Sequence, residues 1–206
     1  MTARLAILGS GRGSNFEALA DAVADGRLPG RIVLVAADVP DAGILARAAA
    51  RGLPAEYLPP GPFRTKLDEA AEARYVAALR AVRADRILLA GFMRVLKAPL
   101  LNAFPGRIVN IHPSLLPAFP GLEAWRQALD HGVKLTGCTV HLVDQGVDTG
   151  IILGQRAVPV LDDDTPATLH TRIQAAEREL YPAVVAALLR GEISVQAGRS
   201  RGFVAG

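Results

Sequence analysis

The stretch RLAILGSGRGSNFEAL, residues 4–19, decides the fold. Arg4–Leu8 is a short apolar run without the polar alternation of a half-exposed strand, as expected for a parallel sheet covered on both faces. It runs directly into Gly9-Ser10-Gly11-Arg12-Gly13-Ser14-Asn15 and then into a helical pattern over Asn15–Asp25. Glycines permit a tight strand-to-helix turn, and the unsatisfied amides at a helix start attract an anion. No Gly-Lys-Ser/Thr follows, so this is not a Walker loop, and the third glycine of a dinucleotide fingerprint would fall on Ser14. The loop suits a monophosphate better than a pyrophosphate. The plainer alternative is a turn capped by Ser14 or Asn15.

Outward from this stretch, the apolar runs Ile32–Ala37, Arg86–Ala90 and Arg107–Ile111 alternate with helical patterns over Ala42–Arg51 and Lys66–Val82. That rhythm predicts an α/β fold, a doubly wound and mostly parallel sheet. Thr136–Val143 and Ile151–Val158 are strand-like and flank the Gly/Asp-rich segment Asp144–Gly150, giving the sheet an antiparallel C-terminal portion. A long C-terminal helix starts at Thr165 as N-cap with Pro166 in its first turn and stops before Gly191. Leu169, Ile173, Ala176, Leu180, Val184 and Leu188 give it one apolar stripe, and Pro182 inside that pattern predicts a kink or a break. No repeat or linker interrupts residues 1–206, which read as a single domain.

Half of the 206 residues are apolar, enough for one well-buried core. No run approaches the roughly 20 apolar residues that span a bilayer, and the N-terminus reads as a first strand and not a signal peptide. The single cysteine, Cys138, excludes an internal disulfide and a cysteine-based zinc cluster, which suits a reducing cytoplasm. The net charge is +3, yet the 23 basic residues, 20 of them arginine, are dispersed among 20 acids. Arg80, Arg83 and Arg86 sit beside a helix end, where cations favour the macrodipole. Nucleic-acid binding needs a concentrated stripe, so a small anionic substrate is the better expectation.

Asn110 and His112 are two apart at the end of an apolar strand and so point the same way. Open α/β sheets bind ligands at the carboxyl ends of their strands. An asparagine amide donates to a developing oxyanion, and a histidine exchanges protons near neutral pH. The proline-rich segment after them, Ser114–Gly121, cannot be helical and is expected to wall the site. Further on, Asp144 or Asp148, on a glycine-flanked loop, can orient a histidine and raise its pKa, and the residues alone do not choose between them. His141, alternating with Thr139, lines the same strand. A metal held by His112, His141 and one aspartate is disfavoured, because no histidine pair has a local metal-binding spacing. Cys138 reads as packing, and His131 and His170 as solvated.

Four segments, RGSNFEAL, LAGFMRVL, NIHPSLLPAFPGL and GCTVHLVDQGVDTGIIL, together resemble the phosphoribosylglycinamide formyltransferase family, folate-dependent enzymes of purine synthesis. The likeness runs from the first strand to the last long helix. It implies that Asn110, His112 and Asp148 are the catalytic trio, with Asp148 preferred over Asp144 because it precedes Thr-Gly. It implies that Gly13, Ser14 and Asn15 hold the substrate phosphate and that Gln174 and Glu177 contact the ribonucleotide. Leu89, Met93, Arg94, Val95, Leu96 and Val143 are implied for the folate pocket, with Asp144 and Val147 on a loop that closes over the pteridine. Residues 1–100 then form a phosphate- and ribonucleotide-binding half and 101–195 a catalytic and folate-binding half. Arg12 and the region Phe63–Lys66, where Arg64 and Lys66 both remain open as folate contacts, depart from the family pattern.

The reaction the resemblance implies is transfer of a formyl group from 10-formyltetrahydrofolate, a cosubstrate, to the amine of glycinamide ribonucleotide, without a metal, in a cytoplasmic monomer or homodimer. Rivals are a formyltetrahydrofolate hydrolase, which is expected to carry an N-terminal regulatory domain, and a methionyl-tRNA formyltransferase, which needs an added C-terminal domain. A noncatalytic nucleotide-binding module is the rival of another class; it leaves Asn110, His112 and Asp148 unexplained.

Overall fold

Leu5, Ile7 and Leu8 have no solvent exposure because the run that carries them forms β1 (Ala3–Gly9) between two parallel neighbours, β2 (Gly30–Ala37) and β4 (Arg86–Leu89). β3 (Ala55–Tyr57) adds to β2, and β5 (Ile108–His112) to β4, both in parallel register. The chain is described from a computed structural model covering residues 2–202. Helices α1 (Ser14–Ala24), α2 (Gly43–Ala50), α3 (Glu69–Ala81) and α4 (Ala98–Ala103) punctuate these strands. The Asp68 carboxylate caps α3 by accepting from the Ala71 amide at 2.7 Å. Buried Glu72 does the same for α4, accepting from the amides of Lys97 (2.7 Å) and Leu100 (2.9 Å). Burial pushes its carboxyl up despite those two bonds.

The later elements are α5 (Ala124–His131), β6 (Leu135–Leu142), β7 (Ile152–Pro159), α6 (Pro166–Leu189) and a short hairpin, β8 (Ser194–Gln196) with β9 (Arg199–Arg201). β6 and β7 are antiparallel, with Cys138 opposite Arg156 and His141 opposite Ile152. The seven strands run in the order β3-β2-β1-β4-β5-β6-β7, a doubly wound, mostly parallel sheet with an antiparallel end, as the sequence predicts. Contacts divide the chain into two units, residues 1–110 and 111–206, and β5 contains the point of division.

Proline 182 does not break the last helix. α6 runs unbroken for 24 residues, opened by a capping box in which Thr165 accepts from the Thr168 amide and the Thr168 hydroxyl from the Thr165 amide. A proline inside a helix costs about 3 kcal/mol. Here Leu180, Tyr181, Pro182, Val184 and Val185 are all buried, and that packing outweighs the lost bond. Among the described residues no helix is long and apolar enough to cross a membrane.

Candidate active site

The glycine loop is built for close backbone approach. Gly13 is the N-cap of α1 with φ 88°, and a Cβ there would lie 3.0 Å from Ile44 Cα. Gly9 is as crowded, with the Ala90 carbonyl 2.9 Å from where its Cβ would be. The loop is pinned to the segment after β4: Ser10 donates its amide to the Gly91 carbonyl (3.0 Å), and its hydroxyl accepts from the Met93 amide (2.8 Å). The N-cap position of α1 is Gly13, with no side-chain cap hydrogen bond, and not Ser14 or Asn15 as in the plainer alternative. Arg12 is exposed.

Of the residues implied for the folate pocket in the first unit, Leu89 and Leu96 are buried and Met93 is 60% exposed. Val95 forms an isolated parallel bridge with Lys66. The Arg94 guanidinium is committed within the protein. Its Nε meets Asp38 at 2.5 Å, and its Nη1 donates to the carbonyls of Phe63 (2.6 Å) and Arg64. Asp38 is buried, so this pair ties the loop around residues 63–66 to the end of β2, which the sequence did not suggest. Lys66 Nζ lies 4.4 Å over the Phe63 ring.

In the second unit three ionisable side chains converge. His112, at the end of β5 and 4% exposed, places Nδ1 3.2 Å from Asp148 Oδ2. His141, on β6 and 2% exposed, places Nε2 3.6 Å from the other oxygen, Oδ1. Asp148 takes a left-handed backbone (φ 55°) on the loop between β6 and β7, and its Oδ2 also accepts the Gly121 amide at 2.8 Å. The loop thus brings Asp148 to the histidines and not Asp144. Asp144 Oδ1 is spent on its own turn, accepting from the Gly146 amide (3.1 Å) and the Thr149 hydroxyl (2.7 Å). Val147 at the loop's tip is 52% exposed, and Val143 half-buried. Among the described residues no group of His, Cys, Asp or Glu is placed to hold a metal ion.

The proline-rich segment is the wall the sequence predicts, and it reaches further into the cluster than the residue types suggest. Thr139 and Gln155 pin it: the Thr139 hydroxyl donates to the Ser114 carbonyl (2.6 Å) and accepts the Leu116 amide (3.0 Å), while Gln155 donates to the Leu116 carbonyl (2.9 Å). Its far end then turns over His112, whose Nε2 lies 2.9 Å from the Phe119 carbonyl. Both ring nitrogens of His112 therefore face oxygen acceptors. Backbone atoms supply the Phe119 and Gly121 contacts, so no side-chain signal marks them in the sequence.

Burial overturns one expectation. From the sequence, a partnering Asp148 carboxylate predicts a His112 pKa above its ordinary value. Instead burial, the largest influence, holds it below that value, outweighing Asp148 and the Phe119 carbonyl. Asp148 is itself held below the usual carboxylate range: burial pushes it up, but the hydrogen bond from His141, that from the Gly121 amide and the two imidazoles together push it down further. The Cys138 thiol, buried on β6, is pushed up to about 12 by desolvation, which suits packing and not nucleophilic work.

On α6, Gln174 is half-buried with its amide 3.2 Å from His170 Nε2, and Glu177, one turn further along, is 6% exposed. His170 is not simply solvated. It stacks flat on Trp125 of α5, with ring centroids 3.6 Å apart and planes 5° off parallel. His131 is exposed and meets the edge of Phe119 at 5.4 Å.

Asn110 and His112 stand at the carboxyl end of a strand in a doubly wound sheet, and a loop carboxylate lies beside the imidazole. These features define the class as an α/β protein with a polar, acid–base-capable strand end. The chain belongs to the formyl transferase family, whose profile residues 3–185 match. It is 41% identical over 193 residues to the phosphoribosylglycinamide formyltransferase of Bacillus subtilis, covering 92% of this chain and 98% of that one. It is 46% identical over 190 residues to the trifunctional purine biosynthetic protein adenosine-3 of Drosophila melanogaster. That match covers 91% of this chain but 14% of the relative, so the chain spans a small part of that protein. The crystal structure of glycinamide ribonucleotide transformylase 1 from Symbiobacterium toebii superimposes with a TM-score of 0.93 at 46% identity, over 97% of this chain and 93% of that one.

Proposed function

We propose that this protein is a cytoplasmic enzyme that transfers a formyl group from 10-formyltetrahydrofolate to the amine of glycinamide ribonucleotide, acting as a single formyltransferase domain. The observation that carries the reading is the pairing of His112 with Asp148 at 3.2 Å beside the strand-end Asn110. Gly13, Ser14 and Asn15 hold the ribonucleotide phosphate on the open start of α1. Gln174 and Glu177 contact its sugar or amine end. Leu89, Met93, Val95, Leu96, Val143 and Val147 supply apolar surface to the folate, and Arg94 and Asp144 shape its pocket through the contacts that hold their loops.

The chemistry needs one base that becomes an acid. The substrate amine attacks the formyl carbon, a new C–N bond forms, and the formyl oxygen takes negative charge. Asn110 donates its amide to that oxygen. Below its usual pKa, His112 is neutral at rest and ready to accept a proton. Once substrate displaces the Phe119 carbonyl, the ring proton resides on Nδ1 against Asp148, and Nε2 receives the proton shed by the attacking amine. The imidazolium so formed donates to the oxyanion, stabilised by Asp148. It then returns the proton to the folate nitrogen as the second C–N bond breaks. Protons balance, and no covalent enzyme intermediate is needed. The test is to supply both substrates and identify the product by mass spectrometry: a formylated ribonucleotide is expected, and free formate as the sole product overturns the reading.

A further inference from the structure

The proton accounting at Asp148 is incomplete with His112 alone. Four imidazole nitrogens face four acceptor contacts: His112 Nδ1 and His141 Nε2 face the two oxygens of one carboxylate, His112 Nε2 the Phe119 carbonyl at 2.9 Å, and His141 Nδ1 the Leu142 carbonyl at 2.8 Å. A carbonyl oxygen only accepts, so each of the last two contacts calls for an N–H. Two neutral imidazoles own two such protons between them. Both then turn lone pairs toward Asp148, an arrangement that is repulsive in a buried site. One added proton relieves it at either ring, and one carboxylate balances one such charge.

We propose that His141 is a positioning residue of the site, a second seat for the proton that pairs with Asp148, so that the proton resides on His141 while His112 is neutral and the two rings compete for one carboxylate. The inference rests on the formyl-transfer reading for its catalytic meaning only. It gives the resting enzyme an ionised, correctly turned Asp148 although His112 carries no charge. On the elements packed against β6, β7 carries Arg156, engaged with Glu179, and α6 carries buried Glu177 together with His170, Arg172, Arg178, Glu179 and Tyr181. The order of influences on Asp148 agrees, since His141 outranks His112 there, and His141 counts among the groups that lower the His112 pKa.

The test is the titration of His112 by NMR in protein carrying 15N-labelled histidine, with no substrate added. In His141→Gln, which keeps an amide donor but cannot take a proton, the His112 midpoint is expected to move to higher pH, because its competitor is gone. An unchanged or lower midpoint overturns the proposal. Should that buried variant fail to fold, the wild-type protein decides: coupled curves, each ring's shift showing the other's inflection, support it, and two independent single-site curves overturn it. Because the readout involves no turnover, a protein with coupled histidines but no formyl transfer would sink the proposed function and leave this inference standing.

Discussion

At the scale of single residues, His112 sits under opposed influences, and their balance sets how the rate depends on pH. Burial lowers its pKa while Asp148 raises it, so removing Asp148 leaves burial opposed only by the weaker pull of the Phe119 carbonyl. In Asp148→Asn the His112 midpoint, and with it the acidic limb of the kcat profile, is expected to shift to lower pH, and kcat to fall sharply as the imidazolium loses its partner. Rate as a function of pH together with NMR titration checks both. An unmoved limb with full activity contradicts the role. Asp144→Asn is expected to do much less, because that carboxylate serves its own turn. For Asn110→Ala, loss of an oxyanion donor should cost about 3–4 kcal/mol of barrier, a fall in kcat of about 10²–10³-fold with the fold intact. The strand-end pair and the histidine types were readable from spacing, and the choice of Asp148 came through the family resemblance. The sign of the His112 shift was not readable, because burial is a property of the packed chain.

At the scale of elements, the strands were legible wherever an apolar run was long enough to be buried on both faces, as in β1, β2 and β5. β3 escaped notice because its three residues are all exposed. α4 is not legible because a six-residue helix carries too few turns to show a period, and α5 because the only residues it buries are two alanines, Ala124 and Ala128. The loop after β1 offers a direct check. Gly13→Val places a branched side chain at φ 88° against Ile44, 3.0 Å away, and should distort the start of α1. Steady-state kinetics should show a raised KM for glycinamide ribonucleotide with the folate KM little changed. The reverse pattern would mean that this loop does not hold the phosphate. The start of α6 is a stability element: Thr165→Ala removes half of the capping box and should cost about 1 kcal/mol in urea unfolding. No loss there would show that the box is not what holds that end.

At the scale of the whole molecule, the charge pattern and the site favour the same kind of substrate. Basic residues scattered among acids along the sequence, and a start of α1 with no side-chain cap hydrogen bond at its N-cap Gly13, both suit the small anion of the proposed reaction. The most direct measurement is the release of tetrahydrofolate from 10-formyltetrahydrofolate, followed with and without glycinamide ribonucleotide at constant enzyme. Release is predicted to require the amine and to match formylated ribonucleotide one for one. Equal release without the amine would mean that water is the acceptor and would contradict the account.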